Sequence, residues 1–140
     1  MPRRSRRTSA RAKPVVAGQV TDASATIASL RQMMRDFVAE RDWGKYHTPR
    51  NLAASAAVEA AELLELFQWL TPQEAVAKSH HDAKFRQAVG EELADVLMYL
   101  MSLANALDLD VASTVHAKMR KNRAKYPSER VRGHYERPLK

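Results

Sequence analysis

Two acidic pairs, Glu59-x-x-Glu62 and Glu92-x-x-Asp95, interrupt stretches that otherwise read as apolar helix. An α-helix turns about 100° per residue, so residues three or four apart share a face. With Glu59 at the origin, Leu52, Leu63, Leu66 and Leu70 fall within about 40° of it, and Glu62 lies about 60° away. With Glu92 at the origin, Phe85, Val96, Tyr99 and Leu103 fall within about 40°, and Asp95 lies about 60° off. Both pairs therefore point toward surface that should be core. A buried carboxylate without a partner is costly or takes up a proton, and four together repel one another. A divalent cation resolves both problems. Oxygen-only ligands favour magnesium, manganese or calcium over zinc, and such a site suggests phosphate chemistry.

The 140 residues suit one domain with a usable core. There is no cysteine, which excludes disulfides and thiolate metal sites and fits a reducing cytoplasm. No apolar run approaches the roughly 20 residues of a membrane span, so a membrane partner is not expected. The net charge of +7 hides an uneven distribution. Residues 1–13 carry six basic side chains and no acid, and residues 118–140 carry nine against Glu129 and Glu136. Residues 14–117 carry eight basic against fourteen acidic side chains, so the body is acidic and the ends basic. The Arg-rich start reads as a disordered solvated tail, a polyanion contact or a targeting segment.

No internal repeat and no useful strand-like alternation is present. A first helix is expected from about Asp22 to Asp42, capped by Thr21 or Asp22, with Ile27, Leu30, Met34 and Phe37 on one face. After the Trp43–His47 connection, Thr48 reads as an N-cap with Pro49 at the first helical position. That second helix should run to about Leu70 and stop at Thr71-Pro72. Residues 73–81 read as a short helix or an ordered loop. A third long helix should cover Asp82 to about Leu107, and a fourth, capped by Asp108 or Asp110, Val111 to about Lys125. The expected fold is all-α, a four-helix bundle-like protomer spanning residues 21–127. Segments 1–20 and 128–140 flank it as basic tails. The wide apolar faces and the alanines of the second helix suggest that a second copy covers part of the surface.

The carboxylates carry most of the specificity, because two pairs on two helices both face apolar stripes. Glu65 and Glu91 sit nearer the stripe edges and suit solvent or a supporting role. A di-iron bundle requires Glu-x-x-His pairs, and no Glu here has a His three residues later, which favours a redox-inert cation. Trp43 and Trp69 bracket the Glu59 helix, and Tyr99 lies one turn past Asp95. Such rings stack on a nucleobase or simply pack in a core. His47 either hydrogen-bonds a base or closes its loop. Lys118 and Asn122 share a helical face, with Arg123 beside them. Cations there either complement the helix dipole or hold triphosphate oxygens.

The stretches FVAERDWGKYHTPRNLAASAAVEAAELLELFQWL and EELADVLMYLMSLANALDLDVASTVHAKMRKNRAKYP carry a resemblance. They resemble the MazG-like all-α nucleoside triphosphate pyrophosphohydrolases, and within them the dCTP pyrophosphatase branch, over roughly residues 25–127. The resemblance implies magnesium-dependent cleavage between the α- and β-phosphates, giving nucleoside monophosphate and pyrophosphate. It implies Glu59, Glu62, Glu92 and Asp95 as catalytic magnesium ligands, with manganese an alternative ion. It implies Trp43, His47, Trp69 and Tyr99 around the base, and Lys118, Asn122 and Arg123 on the phosphates. It also implies dimers, or tetramers built from dimers, with sites at subunit interfaces. Met34 stands where the dCTP-preferring members carry a histidine. Other readings are a pyrophosphohydrolase for dUTP, a modified nucleotide or phosphoribosyl-ATP, a helical nucleic-acid-binding protein using its basic ends, and a metal-buffering bundle.

Overall fold

The computed structural model describes residues 20–133. Of the expected basic tails, 1–20 and 128–140, residues 1–19 and 134–140 lie outside the described residues. The described chain is all-α, in the order α1 (Ile27–Glu40), a 3-10 turn (Gly44–Tyr46), α2 (Pro49–Glu65), α3 (Pro72–His81), α4 (Ala83–Ala106), α5 (Val111–Lys125) and α6 (Ser128–Val131).

Local chemistry sets most of the boundaries. Thr48 accepts a hydrogen bond from the Asn51 amide with Pro49 at the first helical position, Asp82 caps α4 through the Phe85 amide, and Asp110 caps α5 through the Ser113 amide. Two boundaries differ from the sequence expectation. α1 begins at Ile27 rather than near Asp22, because Thr26 and Ser29 form a reciprocal capping box while Thr21 closes a separate turn with Ser24. α2 ends at Glu65 rather than Leu70. The amides of Phe67 and Leu70 bond back to the carbonyls of Leu64 and Phe67, tightening the chain into turns. This turn puts Phe67 edge-on against Phe85 of α4, with centroids 5.3 Å apart. Thr71-Pro72 then opens α3 with its own capping box to Glu74, and within the expected C-terminal tail residues 128–131 form a single helical turn.

α2 runs along α4 in the main helix–helix interface, α1 packs on α4, and α3 packs against the start of α4. Leu52, Ala56, Phe85 and Ala104 form the buried core. Arg31 and Arg35 of α1 both donate to Asn105 Oδ1, at 2.9 and 2.8 Å, and Asn105 Nδ2 donates to the Arg31 carbonyl at 3.0 Å, clamping α1 to the end of α4. α5 leaves α4 at 102°. Much apolar surface stays exposed, including the stripe Leu93, Leu97 and Leu100 on α4 and Val115 and Met119 on α5. No single helix among the described residues is long and apolar enough to cross a membrane.

Candidate active site

The α2–α4 interface places the two acidic pairs face to face. Glu59, Glu62 and Glu92 each offer a carboxylate oxygen, all within 4.8 Å of one another. Glu59 and Glu92 are half-buried and Glu62 is exposed. Asp95 is half-buried beside this trio, and its charge acts on both Glu59 and Glu92. Burial, and then the charges of Glu62, Asp95 and Glu92, push the Glu59 carboxyl above the usual range. Burial, and then Glu62, Asp95, Glu91 and Glu65, do the same for Glu92. Glu65 and Glu91 are exposed and contribute at a distance. Among the described residues no cation acts on either raised carboxyl.

One atom bears directly on a metal. Glu92 Oε2 is buried and has no hydrogen-bond partner among the described residues. Such an atom carries a desolvation cost that a bound cation removes. Three all-oxygen donors from two packed helices fit a hard divalent ion such as Mg²⁺ or Mn²⁺.

Asp95 also forms part of the wall of an adjacent cavity of about 350 Å³. Trp43, His47 and Tyr99, named from sequence, line it together with Met34, Phe37, Val38, Met98 and Ser102. The loop before α2 is held by a helix-ending motif. The Trp43 amide bonds to the Val38 carbonyl and the Asp42 amide to that of Ala39, with Asp42 in the left-handed region at φ 50°. This turns the Trp43 ring edge-on to Phe37 at 5.9 Å, and the Arg41 guanidinium stacks 3.7 Å above Phe37. His47 Nδ1 lies 3.0 Å from the Trp43 carbonyl oxygen, so the loop's own backbone orients the imidazole.

The remaining candidates are not gathered here by this chain alone. Trp69 is 86% exposed in the turn after α2 and does not line the cavity. Lys118, Asn122 and Arg123 lie on the departing α5, and no ion pair among the described residues joins them to the acids. The half-buried Asn122 accepts the Tyr126 amide through its carbonyl at the helix end. Met34, Phe37, Val38, Met98 and Ser102 were not singled out as site residues. Met34 and Phe37 belong to the apolar face of α1, where a cavity wall and a core give the same pattern.

Residues 54–135 match the sequence model of the MazG-like family. Bovine (Bos taurus) dCTP pyrophosphatase 1 is 41% identical over 108 residues, covering 77% of this chain and 63% of that protein. The human (Homo sapiens) dCTP pyrophosphatase 1 is 41% identical over 107 residues, covering 76% and 62%. The chain thus spans a little under two thirds of the length of these curated relatives. A solved pyrophosphatase from Archaeoglobus fulgidus superposes with a TM-score of 0.68 at 38% identity, covering 78% of this chain and 99% of that one.

Proposed function

The chain belongs to the MazG-like family, and from that membership we propose that it is a magnesium-dependent nucleoside triphosphate pyrophosphohydrolase acting on dCTP or a related, including modified, deoxynucleotide. The observation that carries the reading is the junction at Asp95, where a carboxylate cluster with an orphaned buried oxygen adjoins an aromatic-walled cavity. One part suits a metal-bound polyphosphate and the other a flat base.

In this reading Glu59, Glu62, Glu92 and Asp95 hold the ion. A bound Mg²⁺ neutralises polyphosphate charge and makes a bound water more acidic. Trp43 and Tyr99 sandwich the base, His47 reads its edge, and the apolar walls contributed by Met34 and Phe37 exclude water. The water oxygen forms a bond to the α-phosphorus while the α–β bridging bond breaks, its electron pair leaving on pyrophosphate. The water proton passes to one of the glutamates. Most of the acceleration comes from positioning and charge complementarity.

Two copies assemble through the exposed α4 and α5 stripes. The α5 of one copy brings Lys118, Asn122 and Arg123 to the phosphates held by the other, and Trp69 likewise acts across the interface. This arrangement accounts for the lack of any cation beside the raised carboxyls among the described residues of one chain.

The test is a panel of ribo- and deoxynucleoside triphosphates with Mg²⁺ and product identification. Monophosphate plus pyrophosphate, with dCTP or a modified form preferred, is the expected result. Diphosphate plus orthophosphate would contradict the proposed bond cleavage.

A further inference from the structure

The aromatic cavity adjoins a second one and shares part of its lining with it. This neighbour, of about 530 Å³, extends toward Asp42 and Asn105 and shares Met34, Val38, His47 and Ser102 with the first. The shared neck therefore has two apolar and two polar side chains. Ser102 is half-buried on α4, seven residues past Asp95 and within about 20° of it around the helix axis. A serine in a helix commonly spends its hydroxyl on a carbonyl of the preceding turn. Ser29 and Ser113 do so, at 2.8 and 3.2 Å. Ser102 makes no hydrogen bond through its side chain to any described residue, so its hydroxyl remains free for a ligand in the cavity it lines.

His47 fixes the chemistry of the other polar group. The Trp43 carbonyl oxygen can only accept, so His47 Nδ1 carries the proton in the 3.0 Å bond between them. In the neutral ring Nε2 is then an acceptor. The neck thus combines one acceptor with one hydroxyl in an otherwise apolar lining. A base edge with an exocyclic amino group beside an unprotonated ring nitrogen matches that set. Its amino group donates to Nε2, and its ring nitrogen accepts from the hydroxyl. An edge with a carbonyl beside a ring N–H sets a carbonyl oxygen against Nε2, acceptor against acceptor.

We propose that Ser102 is a specificity-determining residue, its hydroxyl donating to the ring nitrogen of an amino-bearing pyrimidine whose amino group is taken by His47. The inference rests on the hydrolase reading above. It adds a recognition residue that neither the carboxylate motif nor the aromatic positions contain.

The experiment compares the full chain with Ser102→Ala on two substrates, dCTP and 3-deaza-dCTP, which lacks the ring-nitrogen acceptor. Alanine is a better helix former than serine, and thermal melting verifies that the variant is folded. The expected result is a KM for dCTP raised about tenfold in the variant, the worth of one hydrogen bond, with a much smaller change in kcat. The KM for 3-deaza-dCTP should be the same in both proteins. An equal effect on both nucleotides, or none on dCTP, overturns the assignment. So does a wild-type preference for dUTP or dTTP, which leaves the hydrolase reading standing. Absence of turnover by the wild type on every triphosphate defeats that reading, and this one with it.

Discussion

Glu59 of α2 and Glu92 of α4 bring carboxylate oxygens within 4.8 Å of each other across the main helix interface, with Glu62 inside the same radius. Burial and mutual repulsion raise both Glu59 and Glu92, so their proximity is unfavourable without a cation. Replacing Glu92 or Glu62 by Gln removes a ligand charge while keeping the shape. Either change should lower turnover at least about 100-fold, the lower end of what one well-placed group contributes. Steady-state release of monophosphate and pyrophosphate with saturating Mg²⁺ measures it. Turnover close to wild type in both variants would remove the cluster from the mechanism.

The same shifts give a pH dependence. Without metal, Glu59 and Glu92 bind protons more tightly folded than unfolded. Their contribution therefore favours the fold at acid pH and is lost as pH rises through their raised values. Glu74, Asp110 and Glu129 go the other way. Their hydrogen bonds lower them, so their stabilisation is present at neutral pH and lost as pH falls through the lowered values. In the proposed site Mg²⁺ would bind the deprotonated cluster and compete with its protons. The melting-temperature gain from Mg²⁺ should be larger near about pH 8 than near about pH 5. Calorimetric scans with Mg²⁺ or EDTA at each pH test this. A gain that does not depend on pH would place the ion elsewhere.

Trp43 and Trp69 looked equivalent in the sequence, each beside the Glu59 helix, but only Trp43 lines the cavity. Trp43→Ala should raise the nucleotide KM by about tenfold or more, since base stacking is worth roughly 1–3 kcal/mol, with a smaller effect on kcat. Initial rates over a range of dCTP concentrations separate the two parameters. A variant with an unchanged KM would show that the ring only packs on Phe37.

What was legible in the sequence follows from how local each signal is. Thr48-Pro49 and Asp110-Val111 mark helix starts because a cap bonds to an amide two or three residues away. The acidic pairs were legible because helical period places a side chain on a face without knowledge of its neighbour. The end of α2 was not, since Leu66, Phe67 and Leu70 continue the apolar pattern while tertiary packing of Phe67 on Phe85 favours a turn. Met34 and Phe37 share one apolar face of α1 in the sequence, and periodicity does not distinguish a cavity wall from a core. The departure of α5 at 102° follows a helix-ending turn in which Asp108 takes φ 49° and the Asp108 and Leu109 amides bond back to the Asn105 and Ala104 carbonyls; an aspartate suits that turn and a helix cap alike, so its residue type alone does not give the angle.

The Asn105 clamp tests the frame that holds the cavity. Its amide group joins Arg31, Arg35 and the Arg31 backbone across α1 and α4. Asn105→Ala removes all three bonds and should destabilise the fold by about 1–3 kcal/mol, because the partly buried Arg31 groups lose their partner. Denaturant unfolding should show a lower midpoint at an unchanged slope. An unaltered midpoint would mean that apolar packing alone fixes α1.

The exposed stripes give the last prediction. Leu93, Leu97 and Leu100 repeat on one face of α4, and Val115 and Met119 on α5, each about half exposed in a single chain. Lys118 and Arg123 have no acidic partner within the chain among the described residues. In the proposed dimer, Glu92 of one copy and Lys118 of the other serve the same site. Glu92→Gln and Lys118→Ala homodimers should each be inactive or nearly so. After subunit exchange at equal concentrations, half of the dimers are hybrids, and each hybrid has one intact site and one doubly altered site. Activity should then recover to about a quarter of the wild-type level for a two-fold dimer. Lack of recovery, with exchange verified by differently tagged copies, would mean that each chain builds its site alone.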